Sequence, residues 1–291
     1  MIKLFFTQLI FLLPFTTSCQ VKNSNEFEGY WYTGKAEISS YDLQQARYGE
    51  MRQGEAVLVF VTEDFSKSKQ VKIENPQKNP NDAVKILKLN LNKKFNTGLY
   101  DYSLMQSVFS PVDRTKHEYT FKVSTSAQDW CGQVFSQLNL QTYKYRFLQH
   151  SYFENEYDQE FILEKELLED ELLTLIRINP SLLPIGTINI VPNTLTARLR
   201  HIPLAVEEAE ANLNNKGEFS VYTVVYKKDK RSVQIEFQTA FPHKIEVFSE
   251  TYSDNGQLLT TTARRRKTII SDYWNKNANA DAILRKELGL K

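Results

Sequence analysis

Alternation of apolar and polar residues, interrupted at short intervals by turn-forming pairs, constrains this chain more than any other feature. Tyr119, Phe121 and Val123 alternate with polar neighbours, and Tyr143, Tyr145 and Phe147 do the same. A period of two sends every second side chain to one face of a strand. The interruptions are Asn96-Thr97-Gly98, Pro111 to Lys116, Lys227 to Lys230 and Asp254-Asn255-Gly256. Asn-Gly between alternating runs is the strongest short-range hairpin signal, because both residues tolerate positive φ. Ala56 to Val61 is a continuous apolar run, which fits a strand covered on both faces. The alternation is expected to begin at Tyr30. The helices that parallel βαβ units need between strands are missing. The expected fold class is therefore mainly β: a strongly curved antiparallel sheet or open barrel of about a dozen strands.

One packed helix is expected over 163–178. Leu168, Leu172, Leu175 and Ile176 share a face there, Glu164, Glu166, Glu169 and Asp170 load its first turns, and Arg177 its last. Asn179-Pro180 stops it. Ala205 to Leu213 reads as a weaker helical piece, and 281–288 as a short C-terminal helix.

The first residues have a different character. Met1-Ile2-Lys3 precedes an apolar run from Leu4 to Phe15, then Thr16-Thr17-Ser18-Cys19. This is a secretory signal, too short to span a bilayer. The small residues before Cys19 resemble the lipobox of bacterial lipoproteins, although Thr16 stands where Leu is usual. The resemblance implies cleavage before Cys19 and lipidation of its thiol, and several acyl chains anchor firmly. The expected organisation is a signal peptide at 1–18, a lipidated tether at 19–27 and a single β-rich domain at 28–291. Cys131 is the only other cysteine, so a lipidated Cys19 leaves no intramolecular disulfide. The 36 basic residues face 35 acidic ones. That balance argues against holding nucleic acid by bulk charge.

Candidate chemistry centres on the block from Lys93 to Gly132. Cys131 would be a nucleophile if a histidine activated it, but His117, His150, His201 and His243 stand in no recognisable spacing to it. The block instead reads as a turn over Thr125 to Asp129 leading into a core strand, with Trp130 and Cys131 packing at the sheet's junction. Arg264 and Arg266 fall on one face of a strand and are candidates to grip an anionic ligand; the plainer reading is a charged edge strand. Glu154, Glu156, Asp158 and Glu160 alternate in an acidic loop that lacks the glycine of a calcium loop. Phosphate-binding glycine loops and the His-Glu-x-x-His, Gly-x-Ser-x-Gly and Cys-x-x-Cys motifs are absent, so no metal or cofactor is expected.

The lipobox, the Asn96-Thr97-Gly98-Leu99-Tyr100-Asp101-Tyr102-Ser103 block and the Gln128-Asp129-Trp130-Cys131-Gly132 block together resemble a family of Bacteroidota envelope lipoproteins. Some of its members carry the label "septum formation inhibitor Maf". The Ser-x-Ser-Pro-Arg-Arg type of motif of the Maf nucleotide pyrophosphatases does not occur here. The resemblance implies location and anchoring: a membrane-anchored lipoprotein of the cell envelope. Asp and Glu do not cluster directly behind Cys19, so the expected placement is the outer membrane facing the periplasm. The expected function is non-catalytic binding of an apolar or amphipathic ligand, or of a protein partner, on a curved sheet. Its partners would be the membrane, through the lipid, and a lipid or envelope protein. The alternatives are a hydrolase or transferase centred on Cys131 and a structural envelope-assembly subunit.

Overall fold

The structure is a computed structural model that describes residues 24–290; the expected signal peptide and Cys19 lie outside the described residues. Its sixteen strands form one curved, unclosed sheet. The first strand lies in the middle of that sheet. One arm runs outward through β1 (Ala36–Arg47), β2 (Glu50–Ser66), β4 (Ala83–Thr97), β5 (Tyr100–Pro111), β6 (Lys122–Asp129), β7 (Gly132–Leu140), β8 (Lys144–Ser151) and β9 (Gln159–Glu164), with the two-residue β3 (Val71–Lys72) beside β2. The other arm begins at the far edge with β10 (Leu167–Leu168). It returns through β11 (Gly186–Val191), β12 (Glu207–Lys216), β13 (Phe219–Tyr226), β14 (Ser232–Gln238), β15 (Ile245–Asp254) and β16 (Gln257–Ser271), which pairs with β1. All pairs are antiparallel except β10 with β11.

This order forces the curvature. β9 and β10 lie at opposite ends of the sheet, yet only Lys165 and Glu166 separate them in sequence. Three residue steps reach at most about 11 Å, so the sheet rolls until its ends nearly meet. The hollow is filled by the chain that crosses it. Residues 168–177 are all buried, and they include α2 (Leu172–Ile178). α3 (Thr194–Arg200) lies beside it against β6, capped by Asn193 Oδ1, which accepts from Leu195 N at 2.9 Å.

Arg177, at the end of α2, pins that chain to the sheet. Its guanidinium forks onto Glu37 of β1, with Nη2 to Oε2 at 2.7 Å, and lies 4.9 Å from the ring centroids of Trp31 and Phe60. Burial alone would raise the Glu37 pKa, but the charge and hydrogen bonds of Arg177 hold it below the usual range. Gly54 serves the same interior. A Cβ there would lie 2.3 Å from the Lys94 carbonyl oxygen and 2.7 Å from Phe95 Cβ.

Several local expectations need correction. Ser24–Trp31 is a helix, α1, so no strand starts at Tyr30. Phe27 and Trp31, four residues apart, both point into the core. The stretch read as tether through Phe27 is thus helical from Ser24. The helix expected over 163–178 survives only as α2. Its first half is the end of β9, then β10, then a 3-10 turn at Glu169–Glu171. Residues 207–216 are a strand because Ala209 and Ala211 face inward while Glu208 and Glu210 face solvent. The C-terminal helix, α4, is Ile283–Glu287. The Asn255-Gly256 turn is as expected, with φ of 48° and 79°.

Candidate functional site

The residues singled out from sequence do not converge. Trp130 and Cys131 form the two-residue turn between β6 and β7 and are both exposed, so they do not pack at a junction in the core. A hairpin tip projects its side chains away from the sheet. Asp129 Oδ1 accepts the Cys131 backbone N–H at 2.7 Å, Trp130 donates to Asp101 at 2.8 Å, and the Cys131 thiol hydrogen-bonds nothing among the described residues. Thr125 to Asp129 is strand, not turn. Arg264 is exposed, whereas Arg266 is engaged by Asp42 at 2.6 Å, Glu55 at 3.0 Å and the Gly289 carbonyl at 2.6 Å. Their strand, β16, lies mid-sheet rather than at an edge. In the acidic stretch the carboxylates go to separate partners: Glu156 to Arg198, Asp158 to His150 and Glu160 to Arg146. Among the described residues no group of three His, Cys, Asp or Glu is placed to hold a metal. No described helix is long and apolar enough to cross a membrane.

The concave interior is different. Alternate residues of β4 point into it: Leu87, Leu89, Leu91, Lys93, Phe95 and Thr97. One ammonium therefore interrupts the apolar run from Leu87 to Phe95. Lys93 pairs with Ala56 on one side and Leu104 on the other, both buried. It is half-buried, and its Nζ makes no hydrogen bond or ion pair among the described residues. The Phe248 ring centroid lies 5.8 Å from it, at the limit of cation–π attraction. Desolvation lowers its pKa, while Glu250 and Glu169 pull in the opposite direction.

Lys93 lines a cavity in which the centre of a water-sized sphere can occupy about 70 Å³. Leu91, Leu173, Leu195, Val233, Ile235 and Phe248 supply the apolar wall. The polar wall comes from the crossing chain and the returning arm. Arg231, just ahead of β14, donates through Nη2 to Glu169 Oε1 and through Nε to Glu250 Oε1, both at 2.6 Å. Thr196 of α3 donates to the other Glu250 oxygen at 3.0 Å, and Tyr226 donates to the other Glu169 oxygen. Two carboxylates on one guanidinium leave one negative charge, which the Lys93 ammonium balances.

Asp170 stands in the same wall. Its Oδ1 accepts from Gln106 Nε2 at 2.6 Å, from Thr194 Oγ1 at 2.7 Å and from Thr194 N at 3.1 Å, while Oδ2 has no partner. Burial pushes its pKa up to about 7, against the pull of the Thr194 hydrogen bonds. Gln106 pairs with Leu91 across β4 and β5, so it lies diagonally across from Lys93 on the inner face. An unpartnered polar atom nine-tenths buried is rare in folded proteins. This cavity wall holds one, Asp170 Oδ2, and a second, Arg231 Nη1, lies behind it on the guanidinium that grips Glu169 and Glu250.

Sequence reasoning marked Lys93 as the start of a block but did not see that it faces inward. The available signal was Leu, Leu, Leu, Lys, Phe at every second position. No family model, curated protein or solved structure matches the chain.

Proposed function

We propose that this chain is a non-catalytic cell-envelope lipoprotein that holds a small amphipathic ligand inside its rolled sheet. The envelope and its anchor rest on the lipobox-like Thr16-Thr17-Ser18-Cys19. The binding role rests on one observation: an ammonium without a hydrogen-bonded partner, set in an apolar row and facing a cavity with apolar walls. Ligand pockets combine such walls with a few placed polar groups. The charges also restrict the ligand's polar end. Below about pH 7, where burial keeps Asp170 protonated, Lys93, Arg231, Glu169 and Glu250 sum to zero. An anionic head would add an uncompensated buried charge beside two carboxylates, which is costly. The polar end is therefore neutral, and the body is a short hydrocarbon.

Native mass spectrometry and lipid extraction of the protein purified from its own envelope test this reading. The expected result is a small bound molecule that the Lys93→Met variant fails to retain. An empty protein whose melting temperature is unmoved by short-chain alcohols, aldehydes and ketones would refute it.

A further inference from the structure

We propose that the neutral ligand is a short aliphatic aldehyde and that Lys93 holds it covalently, as a reversible imine. This rests on the cavity's being a ligand site and goes beyond it by assigning a bond. Among uncharged polar ends that fit beside an unpartnered ammonium, the carbonyl can react with it. The condensation balances without any other reagent. The Lys93 ammonium releases one proton, the lone pair of the amine bonds to the carbonyl carbon, and the C=O bond breaks as the oxygen leaves as water, carrying one nitrogen hydrogen and the returned proton. The product is a protonated imine that keeps the single positive charge. That charge is what the Glu169–Arg231–Glu250 group already balances. An anionic or cationic ligand would upset the balance, whereas condensation preserves it.

The surroundings favour both formation and persistence of the bond. A lysine in an apolar pocket holds more of its amine in the neutral, nucleophilic form. Burial acts on Lys93 in this direction. The hydrocarbon of the aldehyde would lie against Leu91, Leu195, Ile235 and Phe248, which limits the return of water to the imine carbon. Lys122, the other lysine whose pKa burial lowers, makes a useful contrast. Its ammonium lies 3.4 Å from the Gln70 carbonyl oxygen and it lines none of the interior cavity.

Lys94 provides an internal control. It follows Lys93 in sequence but points to the other face of the sheet and is exposed. The test treats the folded protein at neutral pH with limiting hexanal and cyanoborohydride, which fixes any imine as a hexyl-amine, and compares the two lysines by peptide fragmentation. The expected result is a hexyl group on Lys93 several-fold ahead of Lys94, falling to parity in urea. Lys93→Met and Lys93→Arg should each abolish the early adduct, and the arginine variant keeps the charge if the methionine variant folds poorly. Labelling of Lys94 as fast as Lys93, or an early adduct that persists in the arginine variant, would overturn the imine. A parallel melt with hexan-1-ol separates the two claims. A thermal shift with the alcohol but no Lys93 adduct with the aldehyde rejects the imine alone. Absence of both rejects the ligand site as well.

Discussion

Replacing Asp170 by Asn should change the pH dependence of stability in a way that can be worked out beforehand. Folding raises the Asp170 pKa from 3.8 to about 7, because the carboxyl is 2% exposed. A raised acid pKa means the folded state holds its proton more tightly than the unfolded state does. Stability from this group is therefore fully present below pH 4, declines as pH rises and is lost above about pH 7. Three units at 1.36 kcal/mol each amount to ~4 kcal/mol over the whole window, and ~3 kcal/mol between pH 5 and pH 8. Asparagine copies the protonated carboxyl. Its Oδ1 still accepts from Gln106 and Thr194, so those bonds survive. Urea denaturation of both proteins at pH 5, 6, 7 and 8 measures the difference, and histidine titrations common to the two cancel in it. The variant should gain on the native protein from pH 5 to about pH 7 and level off by pH 8, ending ~3 kcal/mol higher relative to pH 5. A difference that stays flat with pH would show that Asp170 is ionised throughout, and the charge argument for a neutral ligand would fall with it.

Arg177→Met should destabilise by ~3–5 kcal/mol in urea melts, because it strands the buried Glu37 carboxylate. Adding Glu37→Gln to it should recover a large part of that loss, and simple additivity of the two single changes would contradict the pairing. Gly54→Ala should lower stability by ~1–3 kcal/mol, since the added methyl meets the Lys94 carbonyl at 2.3 Å; an unchanged melting temperature would mean that β2 and β4 separate freely. Cys131 should react with a maleimide as fast in the folded protein as in urea, because it is an exposed residue on a hairpin tip. A large acceleration in the folded state would restore the nucleophile reading.

The sheet was legible in the sequence because its signals are local. Asn255-Gly256 announces its hairpin, and the alternation around Phe121 and Tyr145 announces inward faces without reference to distant residues. What fills the sheet was less legible, since its cause is long-range. The 163–178 segment carries helical spacing throughout, yet Glu164 ends an edge strand and Leu167 starts the opposite edge. Closing the roll uses the first half of that segment, and only Leu172–Ile178 remains free to coil. Asp170 illustrates the consequence. On an exposed first turn it would complement the helix dipole. On a chain drawn through the hollow it becomes a buried acid held by Gln106 from one strand and Thr194 from a helix.

The site's polar groups come from stretches far apart in sequence, among them Lys93, Gln106, Glu169 with Asp170, Thr194 with Thr196, Arg231 and Glu250. No spacing rule links them, because the rolled sheet alone brings them together. Yet one of them was marked. Lys93 and Lys94 are the same residue type side by side, and alternation gives them opposite environments. Lys94 joins Lys88, Asn90, Asn92 and Asn96 on the outside, where a lysine costs nothing. Lys93 joins Leu87, Leu89, Leu91 and Phe95 inside, where leucine or phenylalanine would pack better and raise stability. A charge kept at that position lowers stability unless it does something there. The two lysines therefore separate the explanations: packing accounts for Leu87, Leu89, Leu91 and Phe95, whereas Lys93 is explained by the charge it balances on the Glu169–Arg231–Glu250 group and, in the function proposed here, by a ligand.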